Sequence, residues 1–126
     1  MFKFTLLIAA ILLVLIDSIY LNLMKKYISN VITKVQGPNL KFNYISALIC
    51  YIFLITGLSY FILIPRKSVQ DAFLLGIVIY GVYESTTYAL FQNWSLIVAI
   101  IDTLWGGILF ALVTYLIKLL QKFNVR

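Results

Sequence analysis

Four long apolar runs are the feature that most restricts how this chain can fold. They cover about residues 4–24, 42–64, 72–91 and 96–117, and short polar connections separate them. A helix needs about 20 apolar residues to cross the hydrocarbon core of a bilayer, and each run is close to that length. Because backbone N–H and C=O groups in lipid must be bonded within the protein, each run is predicted to be a helix. The sequence therefore predicts an all-α fold, a four-helix transmembrane bundle forming one domain over residues 1–126.

The composition also indicates an integral, multi-pass membrane protein. Hydrophobic residues make up 63% of the 126 residues and charged residues 11%, against about one half and one quarter in soluble domains. The net charge of +6 comes from basic residues at the ends of the runs, where membrane proteins carry them. We interpret these residues as contacts with membrane lipid headgroups, and we expect no nucleic-acid partner.

Two residue counts narrow the chemistry. The chain has no histidine, which removes the commonest general base and the imidazole metal ligand. Its single cysteine, Cys50, can form neither an internal disulfide nor a thiolate cluster. The sequence therefore predicts no cofactor and no metal centre, and any bound ion would be hard and oxygen-ligated.

The connection after the first run has a helical pattern of its own. Residues 25–41 are rich in lysine, yet apolar residues recur among them at helical spacing. This pattern predicts a short amphipathic helix in the membrane interface between the first and second spans. Gly37-Pro38-Asn39 is predicted to end it as a turn. The apolar positions are Tyr27, Ile28, Val31, Ile32 and Val35.

Four spans place both termini on one side of the membrane, and the basic residues favour the cytoplasm for that side. Six basic residues lie on the side of the termini and four on the other. The six are Lys3, Arg66, Lys67, Lys118, Lys122 and Arg126, and the four are Lys25, Lys26, Lys34 and Lys41.

Three acidic residues, Asp17, Glu84 and Asp102, lie inside the apolar runs. A carboxylate in the bilayer centre costs roughly 3 kcal/mol on insertion scales. With a rise of about 1.5 Å per residue, all three fall in the same half of the bilayer, roughly 4 to 7 Å from its midplane. No basic residue lies within the spans to pair with them. Such acids are functional candidates by default, and we expect a proton or a hard cation as their partner.

Helical phase predicts which side chains accompany the acids. At about 100° per residue, each acid shares a helix face with small or hydroxyl-bearing residues. Small residues let helices approach closely, and Tyr and Thr hydroxyls can hydrogen-bond an acid, so we expect a polar, acid-lined interior. These neighbours are Ala10, Leu21 and Tyr20 for Asp17; Gly76, Tyr80, Tyr83 and Thr87 for Glu84; and Ser95, Ala99, Gly106 and Trp105 for Asp102.

The chain, most specifically from Tyr83 to Gly106, resembles the domain-of-unknown-function 2177 family of small four-helix membrane proteins. That family's marks are Tyr-Asp-Leu-Thr-Asn in the third helix, a Gly-Trp-Pro turn, and Asp-x-x-Trp-Gly in the fourth helix. The residues that match these marks, including a first-helix Asp, are Asp17, Tyr83, Thr86, Trp94, Asp102, Trp105 and Gly106. The chain departs from the pattern at Tyr20, Glu84, Thr87 and Ser95, where Trp, Asp, Asn and Pro are usual. The resemblance implies the four-helix architecture, and the family has no assigned activity.

Three functions remain open on the sequence. The first is proton or cation permeation or coupled transport, with Glu84 and Asp102 as the binding pair and Asp17 as third ligand or relay. Because four short helices seldom enclose a pathway alone, we expect a homo-oligomer or a subunit of a membrane complex. The second is a membrane-embedded enzyme acting on lipid, with one carboxyl as acid and another as base. The third is a structural or assembly subunit whose acids only join helices.

Overall fold

The computed structural model describes residues 2–36 and 44–124, and all of its regular structure in these ranges is helical. The prediction of an all-α fold with four helices is therefore confirmed. Each helix is long and apolar enough to cross a membrane, as expected of a multi-pass integral membrane protein. The helices are α1 (Phe2–Gln36), α2 (Tyr44–Leu58, continued by a π-helical turn at Ser59–Leu63), α3 (Val69–Leu90) and α4 (Leu96–Asn124).

Helix α1 is longer than the sequence predicts. It runs without a break for 35 residues, about 52 Å at 1.5 Å per residue, against a hydrocarbon core of about 30 Å. The short interfacial helix expected within residues 25–41 is therefore not a separate element, because α1 continues as far as Gln36. No Gly or Pro interrupts this segment, so nothing local ends the helix there. The predicted turn at Gly37-Pro38-Asn39 lies outside the described residues.

The link from α2 to α3 is a tight turn with an unusual backbone. The N–H of Arg66 donates to the carbonyl of Leu63 (3.2 Å), and the N–H of Lys67 donates to the carbonyl of Ile62 (2.8 Å). This pair of bonds is a Schellman motif, which usually has glycine at the left-handed position. Arg66 occupies that position, with φ at 59°. Ser68 then caps α3, because its Oγ accepts from the N–H of Asp71 at 3.1 Å.

Helices α3 and α4 pack together more extensively than any other pair. Their crossing is built on glycine: a Cβ added at Gly76 would collide with the backbone of Gly106 and Gly107, and one at Gly106 would collide with the Tyr80 ring. Small residues at a crossing let two membrane helices approach closely. At the other end of the hairpin Ser95 caps α4, since its Oγ accepts from the N–H of Val98 at 3.2 Å.

The apolar core fills the half of the bundle nearer the termini, and large apolar side chains on the outer surface face the surrounding lipid. At the opposite end, the Nδ2 of Asn93 in the α3–α4 turn donates to the carbonyl of Lys34 in α1 at 3.2 Å. The three acids of the spans lie between that end and the core; Asp17 and Glu84 are buried and Asp102 is half-buried. The core residues are Ala9, Leu13, Leu54, Leu58, Ile62, Leu63, Ala72, Leu109, Phe110, Val113 and Ile117.

Candidate functional site

Asp17 lies on the inner face of α1, where only 7% of its surface is exposed. Both of its carboxyl oxygens accept hydrogen bonds from aromatic side chains on other helices. The Tyr51 hydroxyl of α2 donates to Oδ2 at 2.6 Å, and the Trp105 indole Nε1 of α4 donates to Oδ1 at 2.9 Å. Asp17 therefore joins three helices through donors that carry no charge.

Asp102 has the complementary arrangement on α4. Its Oδ1 accepts a hydrogen bond from the Tyr20 hydroxyl of α1. The rings of Tyr20 and Trp105 stack, with centroids 4.4 Å apart and planes 4° from parallel. Helices α1 and α4 therefore each contribute one acid and, three residues further along, one aromatic residue that donates to the acid of the other helix.

Glu84 is the most deeply buried of the three acids, with 3% of its surface exposed. The Trp94 indole, in the turn between α3 and α4, donates to Oε1 at 2.9 Å. The carboxyl of Asp102 lies near enough to that of Glu84 for the two to interact. Two ionised carboxylates are acceptors only, so a hydrogen bond between them requires one proton.

These contacts form one assembly of acids and aromatic donors, which we call the acid network. It connects all four helices and the α3–α4 turn, and all four of its donors are neutral hydroxyl or indole groups. Across residues 2–36 and 44–124, no three Asp, Glu, His or Cys side chains are grouped so as to hold a metal ion. The members of the acid network are Asp17, Tyr20, Tyr51, Glu84, Trp94, Asp102 and Trp105.

An open pocket of about 350 Å³ lies beside Glu84, between α3 and α4. Its walls are mostly apolar and include Leu96, Ile100 and Leu104, which also face the surrounding lipid. Glu84 lines it together with two hydroxyl residues, Ser85 and Thr103. We call this the Glu84 pocket.

The comparisons with known proteins decide the family. A family model described as "Predicted membrane protein (DUF2177)" matches residues 2–118. The chain belongs to this family. No curated protein and no solved structure matches it.

In this DUF2177 protein, four of the seven residues that match the family marks belong to the acid network: Asp17, Trp94, Asp102 and Trp105. Trp94 of the turn motif, together with Asp102 and Trp105 of the fourth-helix motif, contributes a carboxyl or an indole donor to it. Two of the four positions where the chain departs from the family pattern keep their chemistry: Glu84 retains a carboxyl, and Tyr20 retains an aromatic donor. Gly106 provides the close approach that sets α3 against α4.

Other predicted site residues of this DUF2177 protein lie elsewhere. Tyr83 is 62% exposed, and Thr86 is also exposed, with its hydroxyl donating to the Val82 carbonyl at 2.7 Å. Thr87 is buried, but its hydroxyl donates to the Tyr83 carbonyl at 2.8 Å. Tyr80 packs its ring on Gly106. The face predicted for α3 was therefore too wide, since Tyr83 points away from the bundle while Glu84 points inward.

Two residues of the DUF2177 site were missed as partners of the acids. Tyr51 lies in the apolar middle of α2 and has no sequence signal beyond its own hydroxyl. Trp94 was predicted only as a match to the turn motif of the family. The signal for it was its place in a short turn ten residues after Glu84, which returns the chain to the helix end nearest that acid.

Proposed function

We propose that this protein binds a proton at the Glu84–Asp102 pair and uses it to move protons, or a solute coupled to them, across the membrane. The observation that carries the proposal is the closeness of the Glu84 and Asp102 carboxyls, at a site where Glu84 is buried and the hydrogen-bond donors are neutral. A proton shared between the two carboxyls fits this arrangement, whereas two bare carboxylates would repel each other there.

Access to the proton comes from the Glu84 pocket, which is open on the lipid side of α3 and α4. Beyond Asp102 the hydrogen bonds reach the Tyr20 hydroxyl, and the next contact is a ring stack, which does not pass a proton. The half of the bundle nearer the termini is closed by apolar core residues such as Leu109, Phe110 and Val113. A complete pathway therefore requires a helix movement or a second copy of the chain, and we propose an oligomer.

One observation favours a second candidate, an enzyme that acts on lipid. The Glu84 pocket opens sideways among lipid-facing residues, and it brings a carboxyl next to the hydroxyl residues Ser85 and Thr103. A lipid entering from the membrane would meet Glu84 as a general acid, with Asp102 as its proton partner. A purely structural role would use the same hydrogen bonds only to hold the four helices together.

Flux measurements on the purified protein in liposomes test the proposal. Glu84→Gln keeps an oxygen to accept from Trp94 and gains an amide that donates to Asp102, so the fold is expected to survive while the shared proton is lost. Asp102→Asn makes the same change on the other partner. Asp71→Asn is the matched control, because Asp71 is an exposed acid at the start of α3, outside the acid network.

We expect proton flux in the parent and in Asp71→Asn, and none in the two network variants. Equal flux in all four proteins would overturn the proposal. Turnover of lipid without flux, lost in Glu84→Gln, would establish the enzyme instead. If neither flux nor turnover occurs and all variants fold, the acids join helices and do no more.

A further inference from the structure

A second pocket lies at the opposite end of the bundle from the acid network, where the end of α2 meets α4. It has a volume of about 130 Å³. Three of the chain's ten basic residues line it. We propose that this pocket, which we call the basic pocket, binds the phosphate group of an anionic phospholipid. Its polar lining residues are Arg66, Lys67, Thr114, Lys118 and Gln121.

Thr114 supplies the first argument. It lines the basic pocket and is 1% exposed, and its Oγ1 has no hydrogen-bond partner within the described part of the chain. Hydroxyls elsewhere on these helices donate to the carbonyl four residues earlier, as in Ser18, Thr33, Thr86, Thr87 and Thr103. A buried hydroxyl without a partner is unfavourable, and a phosphate oxygen in the pocket would provide that partner.

Arg66 supplies an independent argument. It adopts the left-handed backbone conformation, with φ at 59°, at the Schellman position where glycine is preferred. Glycine would make the same two backbone hydrogen bonds without the steric penalty of a Cβ. Backbone strain of this kind concentrates at binding sites, where the side chain has a task. Here the strained residue contributes a guanidinium, whose planar donors fit phosphate oxygens in pairs, to the lining of the basic pocket.

Position and lining favour a lipid phosphate over a free one. The pocket lies at the end of two membrane spans, where phospholipid headgroups lie, and basic pockets between membrane helices are known to hold such headgroups. Its remaining walls, Ile62, Leu63 and Ile117, are apolar and suit the part of a lipid below its phosphate. The site is separate from the Glu84–Asp102 pair, so it stands or falls independently of the proposed proton binding.

Native mass spectrometry of the full-length, detergent-solubilised protein tests the proposal by titration with phosphatidylglycerol and, in parallel, with phosphatidylcholine. We expect the parent to retain phosphatidylglycerol selectively. Lys118→Gln and Arg66→Gly should each weaken that binding about fivefold, the effect of one cation near an anionic lipid. Thr114→Val keeps the shape and removes the hydroxyl, and should weaken binding without any change of charge.

Lys122→Gln is the matched control, because it removes the same charge one turn further along α4 from a residue that does not line the pocket. Loss of binding in Lys122→Gln equal to that in Lys118→Gln would mean diffuse surface charge and would overturn the proposal. Unchanged binding in Arg66→Gly and Lys118→Gln would do the same. Inorganic phosphate at millimolar concentration should not displace the lipid, and displacement would reassign the site to free phosphate.

Discussion

Tyr20 and Trp105 stack ring on ring across the α1–α4 interface, and each donates a hydrogen bond to the acid on the other's helix. The arrangement is reciprocal because both helices use the same spacing, an acid followed three residues later by an aromatic donor, and run in opposite directions. An acid buried in this way is held by geometry rather than by a counter-charge. This distinguishes the acid network from a salt-bridged interior. The contribution of each tyrosine hydroxyl can therefore be tested by a conservative substitution to phenylalanine.

Removing a single tyrosine hydroxyl from the acid network should destabilise the fold. Tyr20→Phe leaves the stack in place but takes away the donor to Asp102, and Tyr51→Phe takes away one donor to Asp17. Each loss should lower the free energy of unfolding by about 1 kcal/mol, measured by chemical unfolding in detergent. Tyr60→Phe is the control, since Tyr60 is 66% exposed on the outer surface. An equal effect in the control would show that the network hydroxyls contribute nothing particular.

The glycine crossing of α3 and α4 should tolerate no side chain. Gly76→Ala would place a methyl group against the backbone of Gly106, and Gly106→Ala would place one in the Tyr80 ring. Overpacking of this kind costs about 1–3 kcal/mol, and we expect a lower unfolding temperature and a displaced acid network. Gly57→Ala is the control, because its new methyl group would meet Ile79 at an ordinary 3.9 Å. It should be neutral or stabilising, as alanine favours helix over glycine by about 1 kcal/mol.

The architecture could be predicted from the sequence because it depends on the length and hydropathy of each run, which are local properties. The common depth of the three acids in the bilayer could be predicted for the same reason, since depth follows from position within a helix. The partners of the acids could not, because they depend on how each helix rotates against its neighbours. Tyr51 and Tyr83 show this: both are tyrosines in apolar spans, yet one binds Asp17 and the other faces outward.

The error in α1 has a different origin. The lysine-rich segment after the first span was interpreted as a separate helix, although its residues form helix as readily as those before them. Composition indicates where a helix leaves the membrane, and helix-breaking residues indicate where it ends. In α1 these two positions differ, since the lysines begin at Lys25 and the helix extends to Gln36.

A hydrophobic carbodiimide should distinguish Glu84 from the other two acids of the acid network. Such reagents partition into membranes and react with carboxyls that carry a proton. Glu84 lines a lipid-side pocket and has the carboxyl of Asp102 beside it, whereas Asp17 is enclosed by Tyr51 and Trp105. We expect one covalent adduct per chain, located at Glu84 by peptide mass spectrometry and absent from Glu84→Gln. An adduct at Asp17, or none in the parent, would contradict a protonated pair beside an open pocket.

The strained backbone at Arg66 leads to a pair of variants that separate fold from binding. Arg66→Gly removes both the guanidinium and the steric penalty, while Arg66→Ala removes the guanidinium and keeps the penalty. In neutral detergent, the free energy of unfolding of Arg66→Gly should be roughly 0.5–1 kcal/mol higher than that of the parent. Arg66→Ala should show no such gain. Chemical unfolding with and without phosphatidylglycerol measures both effects.

Adding phosphatidylglycerol should then remove the stability advantage of Arg66→Gly. A ligand that binds only the folded state stabilises it by about 2.7 kcal/mol at a concentration 100 times its Kd, and a variant that binds fivefold more weakly gains about 1 kcal/mol less. The lipid should therefore bring the parent level with Arg66→Gly and above Arg66→Ala. If the lipid stabilises all three proteins equally, the side chain of Arg66 does not contact it. If Arg66→Gly is less stable than Arg66→Ala in neutral detergent, the left-handed conformation at this turn is not strained. The argument from backbone strain for a binding role of Arg66 in the basic pocket would then fail.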